Sequence, residues 1–330
     1  MPGFESIIDQ RAPLEILTTF IRQGNIPHAL LFYGINGVGK RAAANLFSMA
    51  LNCRGKHSGS TQSDIPCGVC RSCRKIESGN HPDVITIRPS GSFIRIAQIR
   101  ELLETLSLKP YEAKIRAVVI SDAHAMNPEA ANALLKMLEE PPDRTIFILT
   151  TEQLFDLLPT VVSRCQQIRF RPVSRESLKR LLMEEHCLTP DTAQIIAAMA
   201  NGSHTKAVQM SQGGWIRKRD WLISEMASLT VKPMGLRMVF AEKLSKDKAA
   251  LMDSLDIMTT WLRDLLIYKF SPQKITNIDL AHRIKSASGR FSADALLLKI
   301  KHIQQTQRDV RANANLRLAL DTLVVRLAQV

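Results

Sequence analysis

The sequence predicts a parallel α/β domain over its first half and helices alone over the remainder. Up to residue 170, short apolar runs alternate with amphipathic helical stretches, as in a parallel sheet covered by helices. A glycine-rich loop, Gly34–Arg41, lies between the first apolar run and a helix. After Pro172 the strand signals stop, and helical periodicity continues to the last residue.

The elements of the first half follow in order. Residues 5–23 are mostly helical, and Pro13 places the start of the main helix near residues 10–12. Residues 42–51 form the helix after the glycine-rich loop, and Asn127 followed by proline starts a later one. The remaining predicted elements are a helix at Ile96–Ser107 and strands at Ala29–Tyr33, Asp83–Ile87, Ala117–Ile120, Thr145–Thr150 and Gln166–Phe170.

Three domains are predicted from these changes of pattern. Residues 1–171 form the α/β domain, and residues 52–82 form a polar, loop-like insertion within it. Residues 172–208 form a small helical domain. After the linker Ser211–Gly214, residues 215–330 form a larger all-helical domain.

The last predicted helix has an apolar stripe with two interpretations. The stripe consists of Leu316, Leu320, Leu323 and Leu327. Such a face either packs in a core, the commoner case, or binds a partner helix.

Composition narrows the classes of function. The chain has 330 residues, a net charge of +13 and a pI near 9.7. This balance favours an acidic partner, nucleic acid first, although it can also serve solubility alone. No apolar run approaches the roughly 18 residues of a membrane span. The N-terminus has no signal-peptide pattern, so we expect a cytoplasmic, reducing location.

The glycine-rich loop has the pattern of a phosphate-binding loop. Gly34, Gly37 and Gly39 let backbone N–H groups converge on an anion, and the helix N-terminus adds its dipole. Lys40 is placed to contact the β- and γ-phosphates. The next position normally holds Ser or Thr, whose hydroxyl binds Mg²⁺, but here it is Arg41.

A phosphate loop is normally paired with a strand that ends in Asp-Glu, which binds Mg²⁺ and primes water. In the candidate strand Val118–Ile120, Ser121 stands in the place of the aspartate and Asp122 in that of the glutamate. A shift of one residue would instead make Asp122 the metal ligand, with Ala123 in the glutamate position. Either way one acid is absent, and a third interpretation is that Asp122 only caps the next turn.

Four of the six cysteines form a cluster with metal-ligand spacing. Cys53, Cys67, Cys70 and Cys73 offer four thiolates in 21 residues, two of the spacings being CxxC. Zn²⁺ prefers such a tetrahedral set, and four thiolates leave no open position, so the role would be structural. The alternatives are unliganded thiols or disulfides, and the expected compartment disfavours disulfides.

Arg164 lies between Ser163 and Cys165, just after a short helical stretch. A lone surface arginine is usually inert. The alternative is an arginine finger, a cation that one subunit supplies to the γ-phosphate bound by another.

Several of these strings resemble the bacterial clamp-loader branch of the AAA+ ATPases. They are Ile26–Phe32 before the loop, the four cysteines after its helix, Ala131–Pro142, and Ser163-Arg164-Cys165. Asn313–Leu320 is similar to the last helix of the delta′ type of subunit. The resemblance implies an AAA+ P-loop module followed by a small helical lid and an all-α collar that oligomerises.

The resemblance also implies a function. Clamp loaders of this family are five-subunit assemblies within the DNA polymerase III holoenzyme, and they use ATP to open a ring-shaped sliding clamp and place it on primed DNA. The expected partners are gamma/tau and delta subunits, the beta clamp through the complex, and DNA without sequence preference. Arg164 would complete the ATP site of a neighbouring subunit.

Delta′ subunits typically have a decayed ATP site and act as a stator. Arg41 and Ser121 depart from the motor pattern in this direction, and so does Thr205, which stands where motor subunits carry an arginine. Lys206 is adjacent to it and could partly substitute. We therefore expect no intrinsic ATPase. Because the glycines and Lys40 are intact, binding of ATP or ADP without hydrolysis stays an open alternative. The rivals are a gamma/tau-type motor and another AAA+ protein of recombination or repair.

Overall fold

Five strands pair in parallel in the computed structural model of the chain, which describes residues 3–55, 66–246, 248–312 and 314–329. They are β1 (Ala29–Tyr33), β2 (Val84–Ile87), β3 (Arg116–Ile120), β4 (Thr145–Thr151) and β5 (Gln166–Arg169). Their order in the sheet is β2-β3-β4-β1-β5. The predicted parallel sheet is confirmed.

Helices cover both faces of this sheet. They are α1 (Arg11–Gln23), α2 (Lys40–Asn52), α3 (Arg71–Glu77), α4 (Ile96–Leu106), α5 (Pro128–Glu139) and α6 (Pro159–Val162). Successive strand residues point to opposite faces. Leu30 and Phe32 therefore pack against α1, α2 and α3, while Leu31 packs against α4, α5 and α6. Strands buried on both faces explain the continuous apolar runs in the sequence.

The expected loop at residues 52–82 is wrong in part. Arg71–Glu77 forms α3, with Cys70 as its N-cap. Cys73 and Ile76, three residues apart, are both buried and join the core under the sheet. This helix is short and rich in charge, so its apolar spacing is a weak signal. Residues 56–65 of the insertion lie outside the described residues.

The regular secondary structure of the second half is helical throughout the described residues. Its helices are α7 (Arg175–His186), α8 (Pro190–Met199), α9 (His204–Ser211), α10 (Trp215–Ser228), α11 (Met234–Lys246), α12 (Lys248–Tyr268), α13 (Ala281–Ser288), α14 (Ala293–Arg311) and α15 (Leu316–Gln329). Leu320, Leu323 and Leu327 of α15 are buried in the core of this half. Core packing thus accounts for the leucine stripe.

Internal contacts divide the chain into two compact units. The first consists of Met1–Leu178 with Asn201–Lys206, and the second of Lys179–Ala200 with Ala207–Val330. Each has its own apolar core. The division into three domains at residues 171 and 208 stays a prediction. Among the described residues, no helix combines the length and apolar character needed to cross a bilayer.

A buried carboxylate ties the loop before β3 to the sheet. Asp83 accepts hydrogen bonds from the backbone N–H groups of Tyr111, Glu112 and Ala113 at 2.8, 2.7 and 2.8 Å. Burial alone would raise the pKa of Asp83, but these donors and the nearby Arg116 guanidinium outweigh burial, and the pKa lies below its usual value.

Replacing this carboxylate should destabilise the first unit in a pH-dependent way. We expect Asp83→Asn to lower the free energy of unfolding by about 1–3 kcal/mol at neutral pH, because buried N–H donors lose their charged acceptor. A lowered folded pKa gives stability that is present above the unfolded pKa, about 3.9, and is lost as the pH falls through the folded value. The difference in urea unfolding midpoint between the unaltered chain and Asp83→Asn should therefore begin to shrink below about pH 4 and disappear below the folded pKa. The exposed Asp156→Asn is the control, and equal midpoints for all three proteins at pH 7 would contradict the assignment.

Candidate functional site

The glycine-rich loop joins β1 to α2 at the carboxyl end of the sheet. Gly34 and Gly37 have φ values of +144° and +79°, in the region that favours glycine. A Cβ on Gly34 would lie 2.3 Å from the carbonyl oxygen of Phe170, and one on Gly37 would lie 2.2 Å from Oγ of Ser203. Both glycines are therefore required by backbone conformation and by close approach.

Lys40 is the first residue of α2, and its side chain turns back onto the loop. Its ammonium donates hydrogen bonds to the carbonyl of Gly34 and, at 2.9 Å, to that of Ile35. Only 6% of the residue is exposed. Burial lowers the pKa of Lys40, and the carboxylates of Glu152 and Asp122 oppose this change. The cation is thus held in the loop, close to two acidic groups.

A cleft of about 500 Å³ opens beside this loop. Of the predicted site residues, Gly37, Gly39, Lys40, Arg41 and Asp122 line it. Gly34 lies at the start of the loop, outside the lining, where its N–H donates to the carbonyls of Thr151 and Glu152. The structure therefore brings most of the predicted phosphate-binding residues to one cavity.

Ser121 and Asp122 follow β3 and both line the cleft. Oγ of Ser121 is buried and has no hydrogen-bond partner among the described residues. Asp122 has a φ of +53°, and its N–H donates to Oγ1 of Thr150 at 3.0 Å. Its carboxylate makes no capping hydrogen bond to the turn that follows. A purely capping role for Asp122 therefore has no support in the contacts.

The segment Asn201–Lys206 belongs to the same unit as the loop. The N–H of Thr205 donates to the carbonyl of Gly37 at 3.3 Å, and Thr205 lines the cleft. Lys206 is not among the lining residues, and its substitution for an arginine stays a prediction.

The sequence alone did not reveal three further lining residues. Arg88 follows β2, Thr150 lies in β4, and His204 starts α9. Arg88 had a usable signal, because an exposed cation directly after a predicted parallel strand lies at the carboxyl edge of the sheet. Thr150 reads as an ordinary strand residue, and His204 becomes relevant only through its position beside the loop.

The four clustered cysteines lie together between the ends of two helices. Cys53 follows α2, whereas Cys67, Cys70 and Cys73 lie around the start of α3. Their four sulfur atoms are all within 4.8 Å of one another. Sulfur atoms around a tetrahedral zinc, each at about 2.3 Å, lie roughly 3.8 Å apart. This cluster could hold a metal ion, and all four cysteines are free thiols rather than disulfides.

Backbone groups at this cluster favour thiolates. The N–H groups of Cys67, Cys70 and Cys73 point at the sulfurs of Cys53, Cys67 and Cys70, at 3.4, 3.3 and 3.5 Å. Burial raises the pKa of the Cys73 thiol. Burial acts the same way on Cys70, but N–H donors outweigh it and bring the pKa of that thiol to about 6.

Arg164 projects from a firmly anchored segment. Val161 and Cys165 on either side of it are buried. The guanidinium donates to the carbonyl of Thr160 at 3.0 Å and pairs with Glu139 at 2.5 Å. About a third of the arginine side chain is exposed, and it does not line the cleft described above.

Comparison with known proteins decides the family. The family model described as DNA polymerase III, delta subunit, matches residues 9–174, and its C-terminal counterpart matches residues 213–329. The DNA polymerase III subunit delta′ of Bacillus subtilis is 30% identical over 96% of this chain and 95% of its own. The chain belongs to the DNA polymerase III delta′ family. The resemblance drawn from the sequence is thereby confirmed.

A second delta′ relative matches as evenly, whereas a tau relative does not. The delta′ subunit of Pseudomonas aeruginosa is 30% identical over 91% of this chain and 92% of its own. The tau subunit of Escherichia coli is 35% identical over 63% of this chain, but that match spans only 32% of tau. Delta′ relatives therefore correspond to nearly the whole chain, whereas this tau relative is a much longer protein.

The close approach at Gly37 generates a stability prediction for this delta′ chain. Gly37→Ala should destabilise more than Gly24→Ala, although both glycines have positive φ and both alanines face about 1 kcal/mol of backbone strain. A Cβ at residue 24 meets nothing within 4 Å, whereas one at residue 37 overlaps Ser203 and Thr205. Overlap of this kind adds roughly 1–3 kcal/mol. Urea unfolding of the two variants measures the difference, and equal losses would contradict the packing of Thr205 against the loop.

Proposed function

We propose that this chain is the non-catalytic, stator-type subunit of a bacterial clamp loader. In this role it helps the loader place a sliding clamp on primed DNA and supplies Arg164 to the ATP site of a neighbouring subunit. The observation that carries the proposal is the delta′ relationship over 96% of the chain. The side chains of the cleft and the position of Arg164 support it.

Three substitutions in one cleft argue against turnover by the chain itself. Arg41 replaces the hydroxyl that would bind Mg²⁺, Ser121 stands where an acid is expected, and Thr205 stands where a motor subunit has a cation. Phosphoryl transfer relies on a bound metal and an acid that positions water. The gamma/tau-type motor is therefore the weaker candidate. The loop and Lys40 remain, so we propose that the cleft keeps a nucleotide without hydrolysing it.

Arg164 has the properties that an arginine finger requires. Its backbone is anchored by buried Val161 and Cys165, so the base of the side chain is fixed. It does not line the cleft of its own subunit, which leaves action on another subunit as its catalytic use. A guanidinium can bind phosphate oxygens through two parallel hydrogen bonds, which suits the charge of the transition state.

In the isolated chain, the guanidinium of Arg164 forms an ion pair with Glu139. The pair is half exposed, at 34% and 50% for the two side chains. Exposed ion pairs contribute only about 0–1 kcal/mol. A γ-phosphate with more negative charge can therefore displace Glu139 at little cost, while the pair keeps the arginine extended from α6 until a neighbour binds.

The remaining expectations follow from the same role. The second unit would supply the collar that joins gamma/tau and delta subunits, and the assembly would meet the beta clamp and primed DNA in the cytoplasm as part of the polymerase holoenzyme. A net charge of +13 suits contact with DNA phosphates, which requires no base-specific reading.

Zinc is the metal that we propose for Cys53, Cys67, Cys70 and Cys73. Four sulfurs at mutual distances under 4.8 Å fit a closed tetrahedral site. Such a site supports structure rather than catalysis, because no position is left for a substrate. It would join the end of α2 to the start of α3.

The finger role predicts a specific loss of activity. Arg164→Ala should leave assembly of the reconstituted loader intact but remove turnover at the one ATP site that Arg164 completes, where a finger contributes about 10³-fold or more. Arg164→Lys should not restore it, because lysine lacks the planar pair of donors. ATPase of the whole loader with clamp and primed DNA is the measurement.

Arg169→Ala is the matched control, because Arg169 is exposed in the same unit and this substitution removes the same charge. Unchanged loader ATPase in Arg164→Ala would refute the finger. Loss of assembly in that variant alone would show that Arg164 has a structural role instead.

The zinc site predicts a defined metal content. The purified chain should hold about one zinc, and Cys70→Ser should lower both metal content and thermal stability because one of four ligands is lost. Cys187→Ser changes an exposed cysteine outside the cluster and should keep the metal. Elemental analysis measures the outcome. A chain purified without chelator that contains no zinc would exclude the site.

A further inference from the structure

The cleft beside the phosphate loop is unusually rich in positive charge. Lys40, Arg41 and Arg88 line it, and Asp122 is the one carboxylate among the described lining residues. Arg41 and Arg88 are exposed, and their guanidinium groups make no hydrogen bond or ion pair to the part of the chain that the structure describes. Two arginines with unused donors therefore face a cavity of about 500 Å³.

Arg41 also excludes a metal from its usual position. It lies in the first turn of α2, directly after Lys40, where a hydroxyl would bind Mg²⁺. A guanidinium has five donors, no acceptor and a permanent charge, so it cannot bind a cation and repels one. The same group matches the geometry of phosphate oxygens.

Ser121 is a second lining residue whose side chain favours a phosphate over a metal. It is 5% exposed as a residue, and its hydroxyl is buried without a partner among the described residues. A buried hydroxyl without a partner is unfavourable, and a phosphate oxygen would satisfy it. An acid at this position would instead have required a metal to neutralise it beside a polyphosphate.

The apolar part of the lining indicates that the ligand is more than a phosphate. Ile7, Ile8 and Val173 line the cleft together with the basic residues. A cavity lined by both cationic and apolar side chains suits a nucleotide, whose base needs an apolar surface.

We propose that this cleft binds a nucleoside di- or triphosphate without a divalent metal, with Arg41 in the charge-neutralising role of Mg²⁺. This inference rests on the proposed retention of nucleotide by the cleft. It adds that Arg41 and Ser121, which argue against turnover, also make nucleotide binding independent of a metal.

Calorimetric titration of the full chain with ADP and with ATP, in excess Mg²⁺ and in EDTA, tests the inference. We expect the affinity in EDTA to equal or exceed that in Mg²⁺. Arg41→Thr, which restores the hydroxyl, should weaken binding in EDTA by about tenfold or more, as expected for the loss of charge-assisted hydrogen bonds, and should make Mg²⁺ favourable. Arg169 lies in β5 and outside the cleft, so Arg169→Thr should bind nucleotide as the unaltered chain does.

Each contrary outcome has a distinct meaning. Binding by the unaltered chain that requires Mg²⁺ would overturn the inference and leave nucleotide retention standing. Binding under neither condition would overturn both, without affecting the finger role of Arg164. Unaltered EDTA binding by a folded Arg41→Thr, checked by circular dichroism, would remove Arg41 from the proposal.

Discussion

The parallel pairing of β1 with β4 and β5 is the constraint on which the first unit depends. Because parallel strands run in the same direction, their carboxyl ends meet at one edge of the sheet. Tyr33 is in register with Thr151, and the next residue, Gly34, donates its N–H to the carbonyls of Thr151 and Glu152 at 3.3 and 3.2 Å. On the far side of β4, Ile120 is in register with Leu149, which places Ser121 beside Thr150. The pairing of the strands thus brings the loop, the hydroxyl and the carboxylate to one cleft.

The architecture of the cleft and the proposed absence of turnover depend on different groups. Anion binding at a phosphate loop depends on backbone N–H groups and a lysine, whereas hydrolysis depends on a metal and on acids supplied by side chains. In this chain the glycines required by conformation are present, and Lys40 is buried against the loop. The side chains at residues 41, 121 and 205 have changed, and none of these changes disturbs the sheet that positions them.

The cysteine cluster and Arg164 are positioned by more local means. Cys70 is both a cluster member and the N-cap of α3, so the start of one short helix orients several sulfurs. Arg164 lies two residues after the four-residue helix α6. Val161 and Cys165, on either side of it, are buried in the core. Neither feature contributes to the cleft, which suits functions separate from it: a structural metal and a contact with another subunit.

The family was inferred from a resemblance of several strings to clamp loaders. Local chemistry in the sequence was sufficient for the fold class, the phosphate loop and the cysteine cluster. Each depends on residues a few positions apart, where strand and helix periods, glycine geometry and CxxC spacing act directly. The helix α3 was missed because seven residues with two buried apolar side chains give a weak periodic signal. The lining positions of Arg88, Thr150 and Thr205, and the pairing of Glu139 with Arg164, were decided only by tertiary structure. The residues that lie beside them in space are mostly tens of residues away in the chain. Strand order, which brings them together, follows from packing of the whole sheet rather than from any local pattern.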